Sequence, residues 1–125
     1  MTKKRHFSFD NLSFNLSVAH SGEGKILTTQ VMTQDIDTAC HFVDMTIIPP
    51  HCSIGMHTHS LSNEEFYIVI SGTGEMQVGQ EFFPVSSGHV IANPRGGTHG
   101  LRNSGEEDLK LVVIEIPSQC GDSGR

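Results

Sequence analysis

The sequence predicts an all-β sandwich or barrel, and three observations carry that prediction. Short strand patterns recur along the chain, Gly-rich turns separate them, and no segment holds a helical period. At 125 residues, 36% of them apolar, the chain has material for a single modest core.

Residues 12–18 alternate apolar and polar side chains, the period of a half-buried strand. Phe7 and Phe9 alternate too, but the phase slips at Asp10-Asn11, which predicts a turn or bulge. Residues 25–32 read as the next strand and 42–48 as another, stopped by Pro49-Pro50. Between them, residues 33–40 form the nearest helical candidate, too short and polar to bury a face. Residues 66–70 are a continuous run of aromatic and β-branched side chains, the composition of a buried strand. Ser71-Gly-Thr-Gly74 turns that strand, 75–78 returns, and Gly79-Gln80 turns again into 81–85. Residues 89–92, 99–102 and 109–116 complete the strands, with Asn93-Pro-Arg-Gly-Gly97 and 103–108 as the longer connections. The expected organisation is one domain over 1–125, with its barrel at about 40–117, an N-terminal strand and arm in 1–24, and a tail at 118–125.

Composition excludes several partners. A formal charge of −6, with Lys3-Lys4-Arg5 the only basic run, argues against nucleic acid, whose phosphates need clustered cations. No apolar run reaches the ~18 residues a membrane helix needs, and no apolar segment follows the basic start. Cys40, Cys52 and Cys120 are odd in number and widely spaced, as expected of reduced thiols in a cytoplasm.

The unusual feature is histidine, eight in a short acidic chain. His57 and His59 are two apart, so on an extended strand both imidazoles leave one face and offer nitrogens to a divalent transition metal. A carboxylate from Glu64-Glu65 would offset the cation's charge, and His99, after the Gly-rich turn, is a third nitrogen. Taken singly, each of these has a plainer reading as a solvated or backbone-bonded residue.

Spacing joins them. Gly88, Pro94, Gly96, His99 and Asn103 stand at the defined positions of the second cupin motif, and His57-x-His59 with Glu65-x₆-Gly72 resembles the first. The chain is thus similar to the cupin family over roughly residues 40–117. Two departures accompany the resemblance: His51 stands where the first motif has Gly, and one extra residue separates His59 from Glu65. Glu65 keeps the distance to Gly72, which sets strand register, whereas Glu64 keeps the distance to His59. The insertion then falls in the turn Ser60-Leu-Ser-Asn63.

The resemblance implies a double-stranded β-helix, a jelly-roll-like barrel, holding Fe, Mn, Zn or Ni on His57, His59, Glu65 and His99. Tyr67 shares the face of Glu65 and either donates a proton to a substrate or packs in the core. Val69, Leu101 and Met45 or Ile47 are expected to wall the pocket. His51, Arg95, Arg102 and Cys52 are further candidates for its rim, each with a plainer surface or core reading. His6, His20, His41 and His89 lack partner spacing and read as surface or core.

Cupins serve many reactions, so fold leaves function open. The length leaves no room for a second cupin, and no helix-turn-helix or His-Asp pair of an epimerase is present. The expectation is a metal-dependent enzyme acting on a small organic acid or enolate, as a dioxygenase, decarboxylase, isomerase or lyase. The alternative is a noncatalytic metal-dependent binder of a small metabolite or sugar. A homodimer through the Phe-rich N-terminal strand is also expected. Metal binding should fade as pH falls through the imidazole range near ~6.5.

Overall fold

The computed structural model describes residues 5–31 and 38–117. Among these residues it holds ten strands and one 3₁₀ turn. The strands are β1 (Asn15–Ser17), β2 (Ile26–Gln30), β3 (Phe42–Ile48), β4 (Ser53–Thr58), β5 (Asn63–Ser71), β6 (Thr73–Val78), β7 (Glu81–Ser86), β8 (Val90–Asn93), β9 (Thr98–Arg102) and β10 (Leu109–Pro117). They form a six-stranded sheet ordered β1-β2-β3-β10-β5-β8 and a four-stranded sheet ordered β4-β9-β6-β7. Every ladder is antiparallel. Together the two sheets make the double-stranded β-helix expected from the motifs.

Alternation explains which residues meet between the sheets. Along β5, Glu65, Tyr67 and Val69 point inward and are 6%, 2% and 1% exposed, while Phe66 and Ile68 lie on the opposite face and are half-buried. Ile48, Met76, Leu101, Leu109 and Leu111 join them in the main core. The expected strand over 66–70 therefore begins earlier, at Asn63, and carries the acidic pair within its ladder. Parity alone then sends Glu65 inward and Glu64 to the other face.

The N-terminal expectation needs correction. The strand read over 12–18 shortens to Asn15–Ser17, and Phe9–Asn11 forms a 3₁₀ turn where the phase slipped. Phe7, Phe9, Leu12 and Phe14 serve packing instead of strand extension. They cover Val31, Val43 and Met45 on the outer face of the large sheet, with the Phe9 and Phe14 rings stacked 6.2 Å apart. Residues 33–40 fall mostly outside the described residues, as does Cys120.

The turns confirm the roles given to glycine. Gly72 has φ +90°, and a Cβ there would sit 2.5 Å from the Asp108 carbonyl oxygen, so both conformation and space demand glycine. His51 has φ +67°. The position where the motif has glycine keeps its left-handed backbone, and here a histidine bears the strain. Asn103 is fully buried, donates to the carbonyls of Ile48 and Glu107, and accepts from the Gly105 N–H. It holds the loop that follows β9.

Candidate metal centre

Four elements deliver the cluster. His57 and His99 are direct cross-strand partners on β4 and β9, in the small sheet. Glu65 comes from β5 in the large sheet. His59 lies just past β4, where its N–H donates to the Gly97 carbonyl and ties it to the turn that delivers His99. One nitrogen or oxygen from each of the four lies within 4.8 Å of the others, so the set could hold a metal ion.

Ring geometry fits that use. His57 Nδ1 donates to the Gly55 carbonyl at 2.8 Å, which places its proton there and leaves Nε2 with a lone pair. His57 Nε2 and His59 Nε2 face each other at 3.2 Å. Glu65 Oε1 lies 3.2 Å from His59 Nε2 and 3.4 Å from His99 Nε2. His99 is fully buried, and neither of its ring nitrogens makes a hydrogen bond among the described residues. Converging lone pairs repel one another, and buried nitrogens without partners carry a desolvation cost; a shared cation relieves both. Burial, opposed by the Gly55 bond and reinforced by His20, His99 and His59, lowers the His57 pKa to about 4. Burial and then His20 lower His99 to about 4. Both imidazoles are therefore neutral, the ligating form, well below neutral pH.

Tyr67 is edge-on to His99 with ring centroids 5.4 Å apart, and burial followed by the Glu65 charge holds its phenol well above the usual tyrosine range. It keeps its proton and can donate. Val69 and Leu101, expected to wall the pocket, pack in the main core and do not line this cavity. Neither Met45 nor Ile47 walls the cavity: both lie on the outward face of β3, Met45 under the N-terminal arm, because Phe42, Asp44 and Thr46 are the β3 residues that line it. Arg102 pairs with Glu23 over a groove on the outer face of the small sheet, Arg95 is exposed in the turn after β8, and His51 is exposed in its own turn. Cys52 packs against the core and lies outside the four-residue cluster.

Sequence reasoning missed four groups. His20 stacks on His57 with centroids 3.6 Å apart and helps line a cavity of about 120 Å³ with His57, Glu65 and Tyr67. It arrives through a bridge between Ala19 and Ile54, a tertiary contact that no local spacing encodes. Glu115, 3.8 Å from His59 Nδ1 and 3.3 Å from His41 Nδ1, lies behind the cluster. Asn93, across the ladder from Glu65, is 2% exposed, and among the described residues its amide has no hydrogen-bond partner. Asp44 lines the cavity from β3. Period-two parity along β3 and β8 was the signal available for the last two.

Comparison with known proteins decides the family, since the cupin domain profile matches residues 44–115. The chain belongs to the cupin family. This cupin is 26% identical over 103 residues to an oxalate-binding protein of Thermotoga maritima, covering 81% of this chain and 84% of that protein. It is 34% identical over 70 residues to the xanthan biosynthesis protein XanB of Xanthomonas campestris, 56% of this chain but 14% of that one. The crystal structure of a predicted oxalate decarboxylase from Thermotoga maritima superposes with a TM-score of 0.85 at 19% identity, covering 91% of this cupin and all of the other chain.

Proposed function

We propose that this cupin is a metal-dependent enzyme that acts on a small organic acid or enolate at a divalent transition metal held by His57, His59, Glu65 and His99. The observation that carries the reading is the convergence of four ligand atoms within 4.8 Å at a cavity. Such an ion supplies Lewis-acid polarisation and, where redox-active, a place for O₂. The chain supplies orientation and exclusion of water. His57 is held by Gly55, Glu65 offsets cationic charge, and Tyr67 presents a retained phenolic proton from the buried wall. The apolar core beneath the site closes the far end of the barrel.

The second reading, a noncatalytic binder, is favoured by one observation: the relative aligned over most of its length is named for binding oxalate. Metal analysis of protein purified without chelator or a histidine tag tests the shared premise. Organic-acid consumption with Fe(II), Mn(II), Zn(II) and Ni(II) then separates the two. Turnover with any of them supports the enzyme; tight ligand binding without turnover supports the binder. The unbonded Cys40 and Cys52 support a reducing, cytoplasmic setting, and the exposed Leu16 and Val18 at the β1 edge support a homodimer.

A further inference from the structure

The wall of the cavity away from the metal cluster carries polar groups that metal binding does not use. Asp44 and Thr46 face inward from β3, Thr28 joins them from β2, and all three line the cavity with Tyr67. Asp44 is in register with Val113, and Val113 with Tyr67, so Asp44 and Tyr67 stand two strands apart in one cross-strand row. Two strand spacings are about 10 Å, a gap that a ligand of a few heavy atoms can bridge. Asp44 Oδ1 is enclosed, and no group among the described residues donates to it. An enclosed acceptor without a donor costs stability, and an apolar side chain would remove that cost.

We infer that Asp44, supported by Thr28 and Thr46, accepts a hydrogen bond from a hydroxyl of the ligand, so that the cavity selects a small hydroxy acid over a dicarboxylate. The acid oxygen faces the metal cluster and the hydroxyl faces Asp44. The inference rests on the metal reading above and narrows its substrate class.

Charge supports the choice. Among the described residues no Lys or Arg lines this cavity. A second ligand carboxylate would lie against Asp44 and Glu65 without a counter-charge, whereas a hydroxyl brings the donor that Asp44 lacks. The other titratable groups that line the cavity outside the metal set are Tyr67, buried in the wall, and His20, at the exposed mouth. Burial, then the charges of Glu65 and Glu115, raise the Asp44 pKa to about 6. In either protonation state the carboxyl keeps an acceptor oxygen.

The test is calorimetric titration of Mn(II)-loaded protein with 3-hydroxypropionate, propionate and malonate, in wild type, Asp44→Ala and Asp44→Asn. Metal affinity is measured first in each. The wild type should prefer 3-hydroxypropionate to propionate by about tenfold or more. A contribution from anything other than Asp44 is common to wild type and variant, so the decisive quantity is the change in that ratio between variants. Asp44→Ala should cut the ratio at least fivefold with metal affinity unchanged, and Asp44→Asn should tighten malonate severalfold. A ratio unchanged in Asp44→Ala, or malonate preferred by wild type and weakened in Asp44→Asn, overturns the inference. If Asp44→Ala fails to fold, Thr28→Val replaces it and should at least halve the ratio; no change there overturns the inference equally. If Mn(II) does not bind, Fe(II), Zn(II) or Ni(II) takes its place; if none of the four binds, the metal reading falls by itself, and the same titrations on metal-free protein still decide the role of Asp44.

Discussion

The two faces of β3 lie one residue apart and follow opposite rules. Outward, Val43 and Met45 meet Val31, Val112, Ile114 and the phenylalanines of the arm in a wholly apolar cluster. Inward, Asp44 and Thr46 line a cavity that also holds His57, Glu65 and Tyr67. The outer cluster gains from burial without leaving a polar group unpartnered. Among the described residues, the inner end leaves Asp44 Oδ1 and both His99 nitrogens without hydrogen bonds. In this barrel a second apolar cluster packs on a face that ordinarily meets solvent, while chemistry occupies part of the interior beside the main core.

The largest effect expected from that contrast comes from Met45→Ala. Removing a thioether that is 7% exposed should cost about 2–4 kcal/mol in urea unfolding. Metal affinity should stay unchanged, and a parallel loss of metal binding would show that the two faces are coupled.

Next in size is the metal itself. At a free metal concentration about one hundred times the dissociation constant, mass action adds about 2.7 kcal/mol, or roughly 3–6 °C in melting temperature for a domain of this size. His57→Ala and His99→Ala should abolish that shift and His89→Ala should retain it, since His89 is exposed and its ring bonds Ser86, through that residue's N–H and Oγ. Glu65→Gln should weaken the shift more than Glu64→Gln. A shift that survives His99→Ala would place the ion elsewhere.

A smaller effect appears in the pH dependence of metal-free protein. His57 and His99 have folded values near 4, below the ordinary 6.5, so the unfolded chain takes up more protons between those values. Their contribution is full above ~6.5 and is lost as pH falls towards 4. Asp44 works in the opposite direction. Raised from 3.8 to about 6, it favours the fold below its ordinary value and loses that contribution as pH rises through about 6. Denaturant melts of Asp44→Asn from pH 4 to 6.5 should therefore show a steeper rise with pH than wild type. Metal binding should likewise persist below the ~6.5 expected from ordinary imidazoles, because these two stay neutral further down. Loss of binding centred near 6.5 would contradict the burial argument.

The smallest change in fold stability should come from Leu16→Lys on the exposed β1 edge, within about ±0.5 kcal/mol. If the homodimer forms there, sedimentation should show dissociation at micromolar concentration while the melt is unmoved. An unchanged dimer would move the interface to another surface.

Much of this was legible in the chain because a strand records its facing in alternate residues. The β3 bounds, the choice of Glu65 over Glu64 and the glycine at position 72 all follow from parity or from a turn with few solutions. The convergence of His57, His59 and His99 was legible because their spacing is tied to turn lengths. His20 was not, because a bridge between Ala19 and Ile54 places it and nothing near residue 20 signals that contact. Met45 was misassigned because an apolar residue on a two-sided strand satisfies either core, and an outer core exists only once the arm has folded over the sheet.

The seam between the arm and β4 has a kinetic consequence. A Cβ on Gly55 would lie 2.1 Å from the His20 carbonyl oxygen, and one on Gly22 would lie 2.2 Å from that of Ser53. Main chain rests on main chain there, so the aperture beside His57 cannot widen by side-chain rearrangement along that seam. It widens only when the arm lifts from β4 as a segment, breaking the bonds from the Gly55 N–H to the Ala19 carbonyl and from the Ser53 N–H to the Glu23 carbonyl. Entry and departure of a ligand larger than the resting aperture then keep time with fraying of the arm, slower than rotamer hopping.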